Sequence, residues 1–262
     1  MSRKNLIAIL IYIIAFALVL LLCGEADLWL ILIYAATILT LIIEYLVIFY
    51  RFRKDIKPLH MQCDPDAYLQ RMGRRLDKAL RWSLSEKEIA LLRLNIGAGL
   101  NAAGRYSESL AAMGFVNVFR FKKGRENRVF RFVYHHNHFA DFIEMKMMTQ
   151  AQDALLWLND CANAEKPGKT QNMMGRRYRQ DYHLFEMECG RYDGAEEVFT
   201  DMFGNAKNTY ERVMAMMTLA QIHEHFGRSD QARAAYEYVA EHGNHLYVAA
   251  LARKKLASAN GE

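Results

Sequence analysis

Two long apolar runs, residues 5–22 and 28–50, open the chain with only Cys23-Gly24-Glu25-Ala26-Asp27 between them. Each approaches the ~20 residues a helix needs to cross a hydrocarbon core of about 30 Å. Neither run holds Lys or Arg, and Glu44 is the one charge inside them. So short a connector folds two spans back on each other as an antiparallel hairpin. Beyond Arg51 the chain is polar enough for water. The sequence therefore predicts a transmembrane hairpin over residues 1–54 and a soluble helical domain over residues 55–262.

Flanking charge sets the expected orientation. Arg3 and Lys4 precede the first run, and Arg51, Arg53, Lys54 and Lys57 come after the second, whereas the connector carries only Glu25 and Asp27. Basic flanks stay cytoplasmic, so both termini are expected inside, with Trp29 and Tyr50 as interfacial anchors. The competing reading of residues 1–22 is a cleaved signal peptide ending before Cys23. Leu22 is too large for the residue preceding a lipoprotein cleavage site, and a second run begins at once, which favours retention. Glu44 lies near the inner edge, at the depth Tyr12 would take on the other span. A Tyr12–Glu44 hydrogen bond, snorkelling to the interface, and a contact with another membrane subunit all fit it. This organisation suits the plasma membrane of a bacterium, with a multi-pass anchor.

Beyond the anchor the pattern is helical. The chain has three Pro, and apolar residues recur with a 3.6-residue period. Asp64-Pro65-Asp66 reads as a helix start, and Ser85 with Glu88 reads as a capping box. About 210 residues suffice for one core. The apolar share of 52% is raised by the anchor, and the net charge of +5 is modest. The four Cys (23, 63, 161 and 189) show no paired spacing, so three reduced packing thiols are expected in the helical domain.

A pattern repeats within this domain. Ile96-Gly97, Leu100, Gly104, Tyr106 and Ser109 form its first copy. Gly190-Arg191-Tyr192 with Ala195 and Phe199, and Gly227-Arg228-Ser229 with Ala232 and Tyr236, form two more. In a weaker copy Lys146 stands at the turn, with Ala151 and Leu155 after it. The turn positions lie 42, 44 and 37 residues apart. This resembles the tetratricopeptide repeat, whose unit is ~34 residues. The resemblance covers roughly residues 86–241. It implies an all-α solenoid of about four irregular helical pairs, here with flanking helices near 66–82 and 245–258. It also implies a concave face, built from the first helix of each pair, that takes a peptide or partner protein. The candidate contact residues on that face are Asn95, Gly99, Asn101, Asn137, Asp141, Arg179, His183 and Gln221, with Asn95 and Asn101 foremost because amides can hold a ligand backbone.

Residues 115–134 interrupt the pattern. Arg120, Lys122, Lys123, Arg125, Arg128 and Arg131 interleave there with Phe and Val. Alternation about Lys123-Gly124 suits a β-hairpin. A long helix broken at Gly124, with a loop after it, fits as well. The favoured reading of the basic residues is an ordinary solvated connector with packed aromatics. Contact of residues 120–131 with anionic lipid and contact with an acidic partner are the alternatives, while no nucleic-acid-binding fold accompanies them. Chemistry-bearing patterns are sparse. His223 and His225 are two apart, about 200° around a helix, so they do not share an ion. His135, His136 and His138 show no metal-binding spacing. No cofactor, metal or catalytic residue is expected, and the 14 Met read as gap-fillers. The expectation is a non-enzymatic scaffold or adaptor at the cytoplasmic face of the membrane. The alternative is an accessory subunit of a transporter or secretion complex whose hairpin is itself an interface.

Overall fold

The computed structural model describes residues 28–120 and 124–259, which form eleven α-helices, one 3-10 turn and no strand. The chain divides into two units, Met1–Lys54 and Asp55–Glu262. The described part of the first unit belongs to helix α1, Leu28–His60. This helix starts where the second apolar run starts but continues past Tyr50, because Arg51–Lys57 offers no helix breaker until Pro58. Its stretch Ile33–His60 is long and apolar enough to cross a membrane; its apolar window is unburied, whereas Pro58 and Leu59 at its end are buried. Thr37 and Thr40 donate their hydroxyls to the Ile33 and Ala36 carbonyls, both at 2.8 Å, so neither polar group is left bare on the apolar surface. The expected first span, with Tyr12, lies outside the described residues.

The second unit adds ten helices. They are α2 (Pro65–Arg81), α3 (Glu86–Ala102), α4 (Tyr106–Gly114), α5 (Arg125–Glu144) and α6 (Met148–Asn163). The remaining five are α7 (Lys169–Glu188), α8 (Ala195–Gly204), α9 (Thr209–His225), α10 (Ser229–His242) and α11 (Tyr247–Ala259). Both expected starts are present. Asp64 accepts from the Ala67 N–H at 2.9 Å, and Ser85 and Glu88 exchange the reciprocal bonds of a capping box.

Four pairs, α3/α4, α5/α6, α7/α8 and α9/α10, close on the same turn. Gly104, Lys146, Gly190 and Gly227 all take left-handed φ, at 75°, 58°, 78° and 68°. Each donates its N–H three residues back while the next residue donates five back, as in Gly104→Asn101 and Arg105→Leu100, both at 2.8 Å. These Schellman bonds satisfy the last carbonyls of the first helix and reverse the chain. Five residues beyond each turn stands a small side chain, Ser109, Ala151, Ala195 or Ala232. Four further on stands a large one, Met113, Leu155, Phe199 or Tyr236, and all eight are buried. The small residue lets the second helix approach the first, and the large one fills the space beyond it. Gly97 completes the first crossing: a Cβ there would lie 2.7 Å from Met113 Cγ.

The segment 115–134 departs from both sequence readings. Its described residues form a 3-10 turn at Val118–Arg120 and then the first half of α5, which begins at once after Gly124 (φ 93°). The apolar–polar alternation that mimics a strand has a different cause. Phe130 belongs to the cluster of Leu94 and Met113, whereas Phe132 belongs to that of Phe139 and Leu158. Residues two apart on a helix face opposite ways, and α5 is sandwiched between the pair before it and the pair after it, so both faces are apolar.

A row of helix pairs has two ends, and in the second unit they meet. The His245 N–H donates to the Cys63 carbonyl at 3.1 Å, and Asn244 Nδ2 to the Gln62 carbonyl at 2.8 Å. Tyr68 and Met72 of α2 share one core with Val239, Leu246 and Ala249. Tyr247 packs on the bare backbone of Gly104, where a Cβ would lie 2.5 Å from the ring.

Candidate functional site

The first helices of the four pairs surround a cavity of about 360 Å³, within the usual range for ligand pockets. From α3 it receives Asn95, Ala98 and Asn101, and from α5 His136, Asn137, Ile143 and Glu144. Helix α7 adds Arg177, Gln180, Asp181 and Leu184, and α9 adds Tyr210, Met214, Thr218 and Gln221. Leu59, His60 and Tyr68 approach from the start of the unit, and Val248 and Leu251 from its last helix. Period 3.6 explains the selection: Asn137, Asn101 and Met214 each stand on the stripe of their helix that turns away from the second helix of the pair.

Several polar groups on this wall are fixed by one another. Asn101 Nδ2 donates to Asp141 Oδ1 at 2.9 Å, and Asn137 Nδ2 donates to the Leu94 carbonyl at 3.0 Å, tying α5 to α3. His136 Nδ1 meets Asp181 Oδ2 at 2.8 Å, tying α5 to α7. Asp141 is fully buried, and its Oδ2 has no partner among the described residues. Burial pushes its carboxyl up to about 6, against the hydrogen bond from Asn101 that favours the ion. Burial likewise raises Glu144 and lowers His60, so that the imidazole facing the cavity is neutral at physiological pH. Lys146 is paired with Glu188. The Arg177 guanidinium, half-buried beside His60 and Tyr210, makes no hydrogen bond or ion pair among the described residues.

Four sequence-derived candidates, Asn95, Asn101, Asn137 and Gln221, line this cavity. Asp141 lies behind Asn101 as its acceptor. Gly99 is used in packing, since a Cβ on it would sit 2.8 Å from the Tyr68 ring. His183 packs against Gly194. Arg179 lies in a separate cleft with Asn159, Asn163 and Arg176. His136, Arg177, Asp181 and Tyr210 were not legible as site residues, because two full turns of each helix carry polar residues and only the closure of the unit selects which turn faces inward.

The remaining polar clusters are structural. His135 stacks on Trp157 at 5.2 Å with 3° between planes, and burial drives its pKa down to about 4. His225 stacks on Tyr192 at 3.7 Å. Among the described residues no group of three metal-ligating side chains converges. Arg120 pairs with Glu86 at 2.9 Å and Arg128 with the buried carboxylate of Glu165 at 2.9 Å, so part of the basic run is engaged internally. On α1, Glu44 is exposed, as are Arg53 and Lys54, while the side chains of Trp29 and Arg51 lie outside the described atoms. Comparisons with protein-family models, with curated proteins and with solved structures found no match to this chain.

Proposed function

We propose that this protein is a membrane-tethered interaction scaffold or adaptor, a tetratricopeptide-like solenoid that takes a short segment of a partner protein in its central cavity. One observation carries the reading. The first helices of all four pairs turn amide side chains (Asn95, Asn101, Asn137, Gln180, Gln221) and one guanidinium unpaired among the described residues, Arg177, onto the same enclosed space. Carboxamides offer donor and acceptor together, which is what an extended main chain requires, and Arg177 supplies a cation for an acidic group. A volume of about 360 Å³ suits a few residues of such a segment rather than a folded surface. The activity proposed is binding, without catalysis. The location proposed is a bacterial plasma membrane, with two spans and both termini cytoplasmic, on the basic flanks at Arg3, Lys4, Arg51, Arg53 and Lys54. Tethering then raises the effective concentration of the cavity near membrane partners.

A photo-crosslinking residue at Gln221, compared with one at the outward Glu237, tests this in native membranes. The expected result is a discrete adduct from position 221 alone, lost with Arg177→Glu. Equal labelling from both positions, or none from 221, would refute it. A second reading has its own support: Glu44 is exposed on an apolar helix with no partner among the described residues. In that reading the anchor is an interface in a larger membrane complex. Exchanging residues 1–54 for an unrelated hairpin abolishes function only if this second reading holds.

A further inference from the structure

Helix α2 holds five basic residues, Arg71, Arg74, Arg75, Lys78 and Arg81, against Asp66 and Asp77. Its inward stripe is Tyr68, Met72 and Ala79, and all three are buried. Arg74, Lys78 and Arg81, spaced by four and three, form one exposed stripe on another side of the helix. Where the helix stops, Leu80, Trp82 and Leu84 remain 49%, 68% and 41% exposed. This apolar corner is built rather than frayed. Ser83 takes a left-handed φ of 49°, and the Leu84 N–H returns to the Ala79 carbonyl at 3.0 Å. The Lys78 ammonium lies 4.4 Å from the Trp82 ring centre, so cation and indole present one surface.

An exposed Trp flanked by two Leu is costly in water, and a basic stripe beside it is costly against any cationic surface. Both costs vanish in the headgroup region of an anionic bilayer. There indoles settle at the interface and Lys or Arg meet lipid phosphates. Chain connectivity favours a lipid surface over an acidic protein. Trp82 follows the end of α1, the helix long enough to span a membrane, by one short link and the single helix α2, about 25 Å long, so a bilayer crossed by α1 is within reach of this corner. We propose that the corner between α2 and α3, with Arg74, Lys78, Arg81, Trp82 and Leu84, docks on anionic lipid headgroups. This assigns lipid contact to a different segment from residues 120–131, where Arg120 and Arg128 already have carboxylate partners.

The inference rests on the membrane tether, and the test separates the two. The full chain is reconstituted into nanodiscs of phosphatidylcholine alone and of phosphatidylcholine with phosphatidylglycerol, and amide hydrogen exchange is measured. The expected result is several-fold slower exchange for residues 79–86 in the anionic discs only. Raised salt and K78E/R81E should abolish the difference, while α9 and α10 exchange identically in every sample and report an intact fold. Equal exchange in both discs overturns the docking while leaving the tether intact. Protection that appears in native membranes but not in anionic discs also overturns it, in favour of an acidic protein. A chain recovered outside both discs overturns the tether, and the inference with it.

Discussion

Asp141 shows how burial sets the chemistry of one side chain. It is fully buried, accepts from Asn101, and has a carboxyl raised to about 6. An unfolded aspartate titrates near 3.9, so between about pH 4 and 6 the folded chain holds the proton more tightly, and stability falls as pH rises through that window. Asp141→Asn imitates the neutral acid. It should leave stability unchanged near pH 4 and raise it by up to about 3 kcal/mol above pH 6. Thermal melts of variant and parent across pH 4–8 check this. The difference between the two chains is the quantity to read, because His135 works the other way. Its pKa of about 4 lies below that of a free imidazole, so the stability it contributes is lost as pH falls below about 6.5.

At the scale of the element, the turn that closes each pair demands left-handed backbone. Three of the four turns use Gly and the fourth uses Lys146 at φ 58°. A side chain there costs roughly 1–2 kcal/mol, and its pairing with Glu188 is exposed and recovers little. Lys146→Gly should therefore stabilise the domain by about 0.5–1 kcal/mol after the extra freedom of the unfolded Gly is subtracted. Chemical denaturation that showed a loss instead would make the Lys146–Glu188 pair the stronger contribution. The same scale explains α5. Its amphipathic signal is weak because both its faces are covered: Phe130 packs into the cluster of Leu94 and Met113, and Phe132 into that of Phe139 and Leu158.

At the scale of the second unit, the site depends on closure. Leu246 is 1% exposed and joins α2, α9, α10 and α11 in one core, far along the chain from the segment around Cys63 that it helps to hold. Leu246→Ala should cost about 3 kcal/mol. Its distinguishing effect is placement: hydrogen exchange should accelerate at residues 59–72 as well as in α11, while α5–α6 stays protected. Uniform acceleration would mean that the unit opens only as a whole. Because Leu59 and His60 on one side and Val248 and Leu251 on the other complete the cavity wall, the same variant should also lose the adduct formed from Gln221.

Local rules written in the sequence determined much of this protein. Asp64, Ser85 and the four turn positions mark where helices start and stop, because caps and left-handed turns are short-range chemistry. The small and large residues five and nine after each turn announce the helix crossings for the same reason. The apolar run at 28–50 announces a helix able to cross a membrane by length and composition alone. Tertiary structure decided the rest. Whether Gly99 faces a ligand or the Tyr68 ring, whether Arg177 points inward, and whether the alternation at 125–134 is strand or sandwiched helix all depend on contacts between distant segments. Sequence periodicity specifies which stripe of a helix is covered. It carries no record of what covers it, and here that was settled by the meeting of Cys63 with His245.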